Sequence, residues 1–280
     1  MTAIGSGAPT DSFPVVQRTG IRVFRRFTRG TAGVFGEIGR RGYFMRDIAR
    51  AFGDPATYLP ETIRQMRTIG VDSVPLALIV AAFIGGVTAL QLRYQLFPGV
   101  DLSFVGIATR QTIILELGPL LTGLVLTGRV GARMTAEIGT MRVTEQIDAL
   151  ETLAFDPVAF LVVPRLLAAT LMLPVLVILA DAIGVLAGYL VGVYAAAIPP
   201  ADFKEGVRLA FGTFQIVYSL LKATMFGAAI ALNCAYEGYV TSAGAEGVGR
   251  STARAVVITS VTILVLDALT AAVLAPYLQA

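Results

Sequence analysis

Histidine is absent from the 280-residue sequence, and cysteine occurs once, as Cys234. Without histidine the chain cannot carry a Ser-His catalytic pair, a histidine-ligated metal or a histidine proton relay. A single cysteine excludes an internal disulfide framework and a cysteine-rich metal site. The sequence also lacks the phosphate-binding loop G-x-x-x-x-G-K-S/T, so we do not expect this chain to hydrolyse ATP. Any nucleotide energy must come from a partner.

Charged residues are scarce as well. Asp, Glu, Lys and Arg make up 15% of the chain, whereas 55% of it is hydrophobic. Soluble domains carry more charge than this, so the composition predicts a polytopic membrane protein.

Five apolar segments are long enough for a membrane-spanning helix, which needs about 20 residues. They lie at about 75–97, 104–128, 159–198, 213–235 and 255–277. The third could hold two short spans, but no polar loop divides it, and Gly184, Gly188 and Gly192 continue one small-residue face. We therefore expect one long helix there, kinked near Pro174. The predicted fold class is all-α, with about five transmembrane helices.

The region before the first span is basic: 11 of the 22 Lys and Arg residues precede residue 75. Under the positive-inside rule this places the N-terminus in the cytoplasm. We expect residues 1–20 to be disordered, residues 21–72 to form interfacial helices in which aromatic residues alternate with arginines, and residues 73–280 to form the transmembrane domain. A nucleic-acid-binding arm is the alternative reading of the basic region, and the spans that follow disfavour it.

A polar stretch, TGRVGARMTAEIGTMRVTEQIDALETL at 127–153, stands between the second and third spans. It predicts a cytoplasmic helix over about 133–152. That helix would carry a polar stripe of Glu137, Thr144, Asp148 and Glu151, one apolar patch of Met134, Ile138 and Met141, and an opposite one of Ala136, Val143, Ile147 and Leu150. With two apolar surfaces it can lie on its own membrane domain and insert into a partner's groove, or it can simply pack over the ends of the bundle.

Three charged residues lie inside the predicted spans: Glu116 in the second, Lys222 in the fourth and Asp267 in the fifth. Charges at membrane depth are costly, so each is a functional candidate. Each also sits on a polar or small face of its helix, which predicts that the three converge. They could form an interhelical lock, a cluster that shifts during transport or a proton path. In the third span we expect Arg165 to reach back to the cytoplasmic interface and Asp181 to cap a packing contact.

Several segments resemble the MlaE/YrbE permease family, the membrane subunit of Mla- and Mce-type ABC lipid transporters. The similar blocks follow the family's order over about 63–270 and are ELGPLLTGLVLTG (116–128), TGRVGARMTAEIGTMRVTEQIDAL (127–150), DPVAFLVVPRLLA (156–168), YEGYVTSAGAEGVGRSTARAVV (236–257) and LDALT (266–270). The family often has a basic residue just before the glutamate of the first block, where this chain has Leu115. Arg110 lies too far along the helix to replace it simply.

The resemblance implies a permease subunit that is not itself an enzyme and carries no cofactor. It implies a homodimer in a bacterial inner membrane, two cytoplasmic ABC ATPase subunits that bind ATP and Mg, and an MCE-domain lipid-binding partner that exchanges phospholipid or a related lipid with the membrane. The helix over 133–152 would be the coupling helix that docks on the ATPase, through Glu137, Met141, Thr144, Glu145, Asp148 and Glu151. The resemblance also implies that Glu116, Lys222 and Asp267 matter for transport.

Two further expectations come from the residues themselves. The outer end of the first span could line a lipid pocket through Leu92, Tyr94, Leu96 and Phe97. The alternative function is an ion-coupled secondary transporter that uses Glu116, Lys222 and Asp267. An odd number of spans and the lack of a detectable inverted repeat count against it.

Overall fold

A computed structural model of the protein describes residues 36, 39–53, 55–242 and 244–278, in two compact units divided between Asp47 and Ile48. In the first unit residues 39–47 are helical. The disorder predicted for residues 1–20, and the helices predicted for residues 21–35, lie outside the described residues. The second unit contains the predicted spans.

Eight helices, numbered here in chain order, build the described part of the second unit from residue 55 onward. They are α1 (Pro55–Ile69), α2 (Val74–Gln95), α3 (Ser103–Val143), α4 (Gln146–Thr152), α5 (Val158–Tyr194), α6 (Pro200–Arg208), α7 (Thr213–Tyr239) and α8 (Gly244–Leu274). A 3₁₀ turn, Val71–Ser73, joins α1 to α2, and another, Ala275–Leu278, follows α8. No strand occurs in the described ranges.

Five helical stretches are long and apolar enough to cross a membrane. They are Tyr58–Gln95, in which α1 runs into α2, and the helices α3, α5, α7 and α8. The prediction of an all-α protein with five spans is therefore confirmed. The ambiguous third region is one helix, α5, with Pro174 inside it. Prolines also lie in the first turn of α2 and of α6, where a missing N–H costs no helical hydrogen bond.

Small residues let the spans approach closely. A Cβ placed on Gly85 of α2 would overlap the backbone of Gly184 in α5, and one on Gly227 of α7 would lie 2.5 Å from the carbonyl oxygen of Ala169 in α5. Backbone contact of this kind is typical of helix pairs in membranes. Helices there associate mainly through van der Waals packing, which small residues allow by letting the backbones approach. Of the predicted glycine face of the third span, Gly184 and Gly188 pack against the first span and α3, whereas Gly192 packs against Phe203 of α6.

The predicted single helix over about 133–152 is wrong. Its first part is the end of the long helix α3, which stops at Val143, and α4 begins only at Gln146. Between them Glu145 has a left-handed backbone conformation, with φ of 59°. This break removes the polar stripe predicted to run from Glu137 to Glu151, because the two residues belong to different helices.

Candidate coupling and transport sites

The structure brings the three predicted intramembrane charges together. The Nζ of Lys222, on α7, lies 2.7 Å from Oε2 of Glu116 on α3 and 2.7 Å from Oδ1 of Asp267 on α8. The lysine side chain is completely buried, whereas that of Glu116 is 43% exposed. One ammonium between two carboxylates leaves an excess of one negative charge when all three groups are ionised.

The backbone of α3 is adapted to this cluster. Glu116 lies in a π-helical turn, Ile113–Leu117, and Nζ of Lys222 donates a hydrogen bond to the carbonyl oxygen of Leu115 at 3.1 Å. A π-turn inserts an extra residue into a helix, and such turns are common at functional sites. The hydroxyl of Tyr218 donates to the other oxygen of Glu116 at 3.4 Å, and the ring of Tyr218 lies 4.9 Å from the ammonium.

The segment 144–155, called the α4 segment below, is exposed over most of its length. Four of the six predicted coupling residues are exposed there, namely Thr144, Glu145, Asp148 and Glu151. Ile147 is buried and anchors α4, while Arg142 Nη1 bonds to Asp148 Oδ1 at 2.6 Å across the break. Two large apolar side chains at the end of the segment, Leu153 and Phe155, are 68% and 53% exposed.

The other two predicted coupling residues, Glu137 and Met141, lie elsewhere. Both line a polar cavity between α3, α1 and the start of α5. Glu137 pairs with Arg133 at 2.7 Å and with Arg165 at 3.3 Å. Arg165 Nη1 also donates a hydrogen bond to the carbonyl oxygen of Leu161, one turn nearer the start of α5, and Arg165 is 6% exposed. Its expected position at the cytoplasmic interface stays a prediction.

An apolar cavity of about 460 Å³ lies between α3, α5, α6 and α7. The four residues predicted to line a lipid pocket do not line it. Leu92 and Leu96 pack on the buried cluster around Phe203, and Tyr94 and Phe97 are 78% and 79% exposed. Their role in lipid binding stays a prediction.

Asp181 lines the apolar cavity but joins three spans. The hydroxyl of Ser219, on α7, donates to its Oδ2 at 3.1 Å, and its other oxygen packs so closely against Gly118 of α3 that a Cβ there would overlap it. This arrangement agrees with the expected packing contact.

Two buried charged residues, Arg110 and Glu237, were not predicted as functional candidates from the sequence. Arg110, which is 2% exposed, donates to the carbonyl oxygens of Val207 and Ala210 at 3.0 and 3.2 Å and so fixes the end of α6. Glu237, near the end of α7, is buried and pairs with Arg254 of α8 at 3.4 Å. A charge within an apolar segment is costly and marks a functional candidate, so Arg110 could have been identified from the sequence.

The chain is similar to known proteins over most of its length. The family model described as Permease MlaE matches residues 62–273. A probable ABC transporter permease protein of Rickettsia prowazekii is 45% identical over 219 residues, which cover 75% of this chain and 82% of the relative. The intermembrane phospholipid transport system permease protein MlaE of Haemophilus influenzae is 32% identical over 243 residues, covering 86% and 92%. The chloroplastic protein trigalactosyldiacylglycerol 1 of Arabidopsis thaliana is 32% identical over 207 residues, covering 74% and 59%. Because the match runs from α1 to α8 and includes all five spans, the chain belongs to the permease MlaE family.

Proposed function

We propose that this chain is the permease subunit of an ATP-driven transporter that moves phospholipid, or a related lipid, between the cell membrane and an MCE-domain partner. Family membership and the name of the Haemophilus relative support this function. The membrane would be the inner membrane of a bacterium, with the N-terminus in the cytoplasm. A separate ATPase subunit would bind ATP and Mg, and this chain would carry neither catalytic residues nor a cofactor.

The exposed α4 segment is the observation that carries the proposal. It leaves the membrane-spanning bundle at the end of α3, is tied to α3 through Arg142 and Asp148, and presents the apolar side chains of Leu153 and Phe155 outward. Apolar patches within a polar surface mark sites of protein interaction. Movement of an ATPase bound here would be transmitted to α3, the helix that carries Glu116.

A second copy of the chain would complete the permease. The carboxylate of Glu116 lies within a membrane-spanning helix but is 43% exposed, and lipid is a costly environment for such a group. A partner subunit, or a water-filled cavity between two copies, would remove that cost. We therefore propose a homodimer in which Glu116 faces the shared interior.

Co-purification with the ABC ATPase subunits of the same organism tests the proposal. The double variant Glu145→Arg plus Glu151→Arg reverses two exposed charges of the α4 segment and leaves the pair of Arg142 and Asp148 intact. We expect it to insert normally and to lose the ATPase. The matched control is Glu205→Arg, an exposed residue of α6 at the opposite end of the bundle, which should retain it. Failure of the unaltered chain to bind any ATPase would contradict the proposal.

Ion-coupled secondary transport is the second candidate function, because one lysine between two carboxylates could take up a proton or another cation. It predicts lipid transport that follows an ion gradient and continues when ATP is removed. The ATP-driven mechanism predicts lipid transport that stops when ATP is removed and does not follow an ion gradient. Transport measured in proteoliposomes with and without ATP, in the presence of the ATPase, separates the two.

A further inference from the structure

A polar cavity of about 500 Å³ lies at the end of the bundle that carries the α4 segment. Three elements form its walls: α1, the last turns of α3 and the first turns of α5. Its charged lining residues are Glu61, Arg64, Arg133, Glu137 and Arg165. Neither the intramembrane cluster nor the exposed α4 segment includes this cavity.

The cavity has more positive than negative charge. Glu137 is shared between Arg133, at 2.7 Å, and Arg165, at 3.3 Å. Glu61 lies 3.6 Å from Arg64 and also accepts a hydrogen bond from the side chain of Gln65. Among the described lining residues, three guanidinium groups therefore face two carboxylates. One positive charge remains for a ligand to neutralise.

Burial makes that charge effective. Arg165 is 6% exposed, and it lies within electrostatic reach of the like-charged Arg64. Water can screen this repulsion only weakly at a buried group. The side chains of Arg64 and Arg133 are 79% and 59% exposed, so both can turn toward an anion at the mouth of the cavity. A planar guanidinium matches the oxygens of a phosphate group in two parallel hydrogen bonds.

The outer surface of α1 indicates where the anion comes from. Leu59 and Ile63 lie on the face of α1 opposite Glu61 and Arg64, and they are 56% and 66% exposed. In a membrane these apolar side chains would face acyl chains, while Arg64, one residue further, reaches the cavity. Basic pockets between transmembrane helices at the cytoplasmic side bind anionic lipid headgroups.

We propose that this cavity binds the phosphate headgroup of an anionic phospholipid in the leaflet on the side of the α4 segment. The bound lipid would hold α1 against the last turns of α3, immediately before the break at Glu145. This site goes beyond the transport function proposed above and does not depend on it.

Lipid binding to the purified full-length chain in detergent tests the site directly. The probes are phosphatidylglycerol and phosphatidylcholine of the same acyl chains, and the bound lipid is counted by native mass spectrometry. We expect the unaltered chain to prefer phosphatidylglycerol. The variant Arg64→Gln plus Arg133→Gln should weaken that binding by roughly tenfold or more. The control Arg208→Gln plus Arg250→Gln removes two exposed arginines outside the cavity and should leave it unchanged.

Several results would overturn the proposal. The unaltered chain could show no preference for phosphatidylglycerol, or the control could lose as much binding as the cavity variant. Inorganic phosphate at millimolar concentration could displace the lipid completely, which would make the cavity a site for soluble anions. Unchanged lipid binding with loss of the ATPase would make it part of the protein interface.

Folding is checked by the melting temperature in detergent. If the double variant does not fold, the single variant Arg64→Gln, which leaves both bonds of Glu137 in place, carries the test with a smaller expected loss. None of these measurements uses ATP or transport, so failure of this site and failure of the proposed transport function are distinguishable.

Discussion

Lys222 and Glu116 form the shortest ionic contact between α7 and α3, at 2.7 Å, and the two side chains differ sharply in exposure: the lysine is fully buried and the glutamate is 43% exposed. Asp267 approaches the same ammonium from α8 at 2.7 Å and is 16% exposed. The lysine is therefore the centre of the cluster, and its removal should matter most.

The first prediction concerns that removal. Lys222→Met leaves two carboxylates at membrane depth without a counter-charge, and breaking a buried ion pair costs about 3–5 kcal/mol. We expect a value toward the lower end, because water can partly solvate Glu116. The measurement is the free energy of unfolding in detergent, compared with Glu116→Gln, which keeps the pair of Lys222 and Asp267 and should lose less.

The triple variant Lys222→Met, Glu116→Gln, Asp267→Asn separates a structural lock from a working part. It carries no charge at the cluster, so most of the lost stability should return. A cluster that only locks the helices predicts that transport returns as well. A cluster that shifts during transport predicts a stable but inactive permease. If the Lys222→Met variant is as stable as the unaltered chain, both the locking cluster and the shifting cluster are contradicted.

The second prediction tests the contact of α2 with α5. In Gly85→Ala the new methyl group would overlap the backbone of Gly184, which cannot move unless the two spans separate. Overpacking of this kind costs about 1–3 kcal/mol. The control is Gly249→Ala in α8, where no described atom lies within 4 Å of the added Cβ.

Thermal unfolding in detergent measures both glycine variants. Gly249→Ala should raise stability by roughly 0.5–1 kcal/mol, because alanine favours a helix more than glycine does. Equal effects of the two substitutions would mean that the close approach of Gly85 to Gly184 does not limit the packing.

The third prediction concerns Arg110 and the short helix α6. Arg110→Met leaves the carbonyl oxygens of Val207 and Ala210 without their charged donor, a loss of about 1.5–3 kcal/mol. Because these bonds lie at the end of α6, the loss should appear as faster hydrogen exchange in residues 200–212 while the spans stay protected. Lys204→Met is the control, since this exposed α6 residue makes no such bond to α3 in the described chain.

The intramembrane cluster was predictable from the sequence, whereas much of the coupling surface was not. A lone charge in an apolar helix has few tolerable surroundings, so Glu116, Lys222 and Asp267 had to face one another or a cavity. The break at Glu145 has no such signal, because neither glycine nor proline occurs between residues 140 and 155. Tertiary contacts, including the burial of Ile147 and the pair of Arg142 and Asp148, accompany the break and could not be predicted from the local sequence.

The polar cavity shows a second limit of the sequence. Arg165 and Glu137 are 28 positions apart and lie on different helices, and only the docking of α5 beside α3 brings them within 3.3 Å. Periodicity assigns a residue to a face of its own helix but not to a partner on another helix. The pattern also placed only some ends of the helices: α7 begins at Thr213 as expected, whereas the helices that hold the first and fifth spans begin at Tyr58 and Gly244, well before the predicted starts at 75 and 255.

The last prediction tests the orientation of the chain. Half of its basic residues precede residue 75, and the positive-inside rule therefore predicts a cytoplasmic N-terminus. The single native thiol makes the test simple. Cys234 is fully buried, with its sulfur 3.5 Å from the hydroxyl oxygen of Thr259, so it should not react with a membrane-impermeant maleimide until the protein is denatured. Val100→Cys, between α2 and α3, and Leu153→Cys, after α4, place exposed thiols at opposite ends of the bundle.

In intact spheroplasts we expect the maleimide to label Val100→Cys at once, and to label Leu153→Cys only after the membrane is permeabilised. The unaltered chain is the control and should stay unlabelled in both conditions, because a buried thiol in an apolar environment is inert. The reverse pattern would place the α4 segment outside the cell, where no ATP is available. That result would refute the positive-inside assignment and, with it, the docking of an ATPase on Leu153 and Phe155.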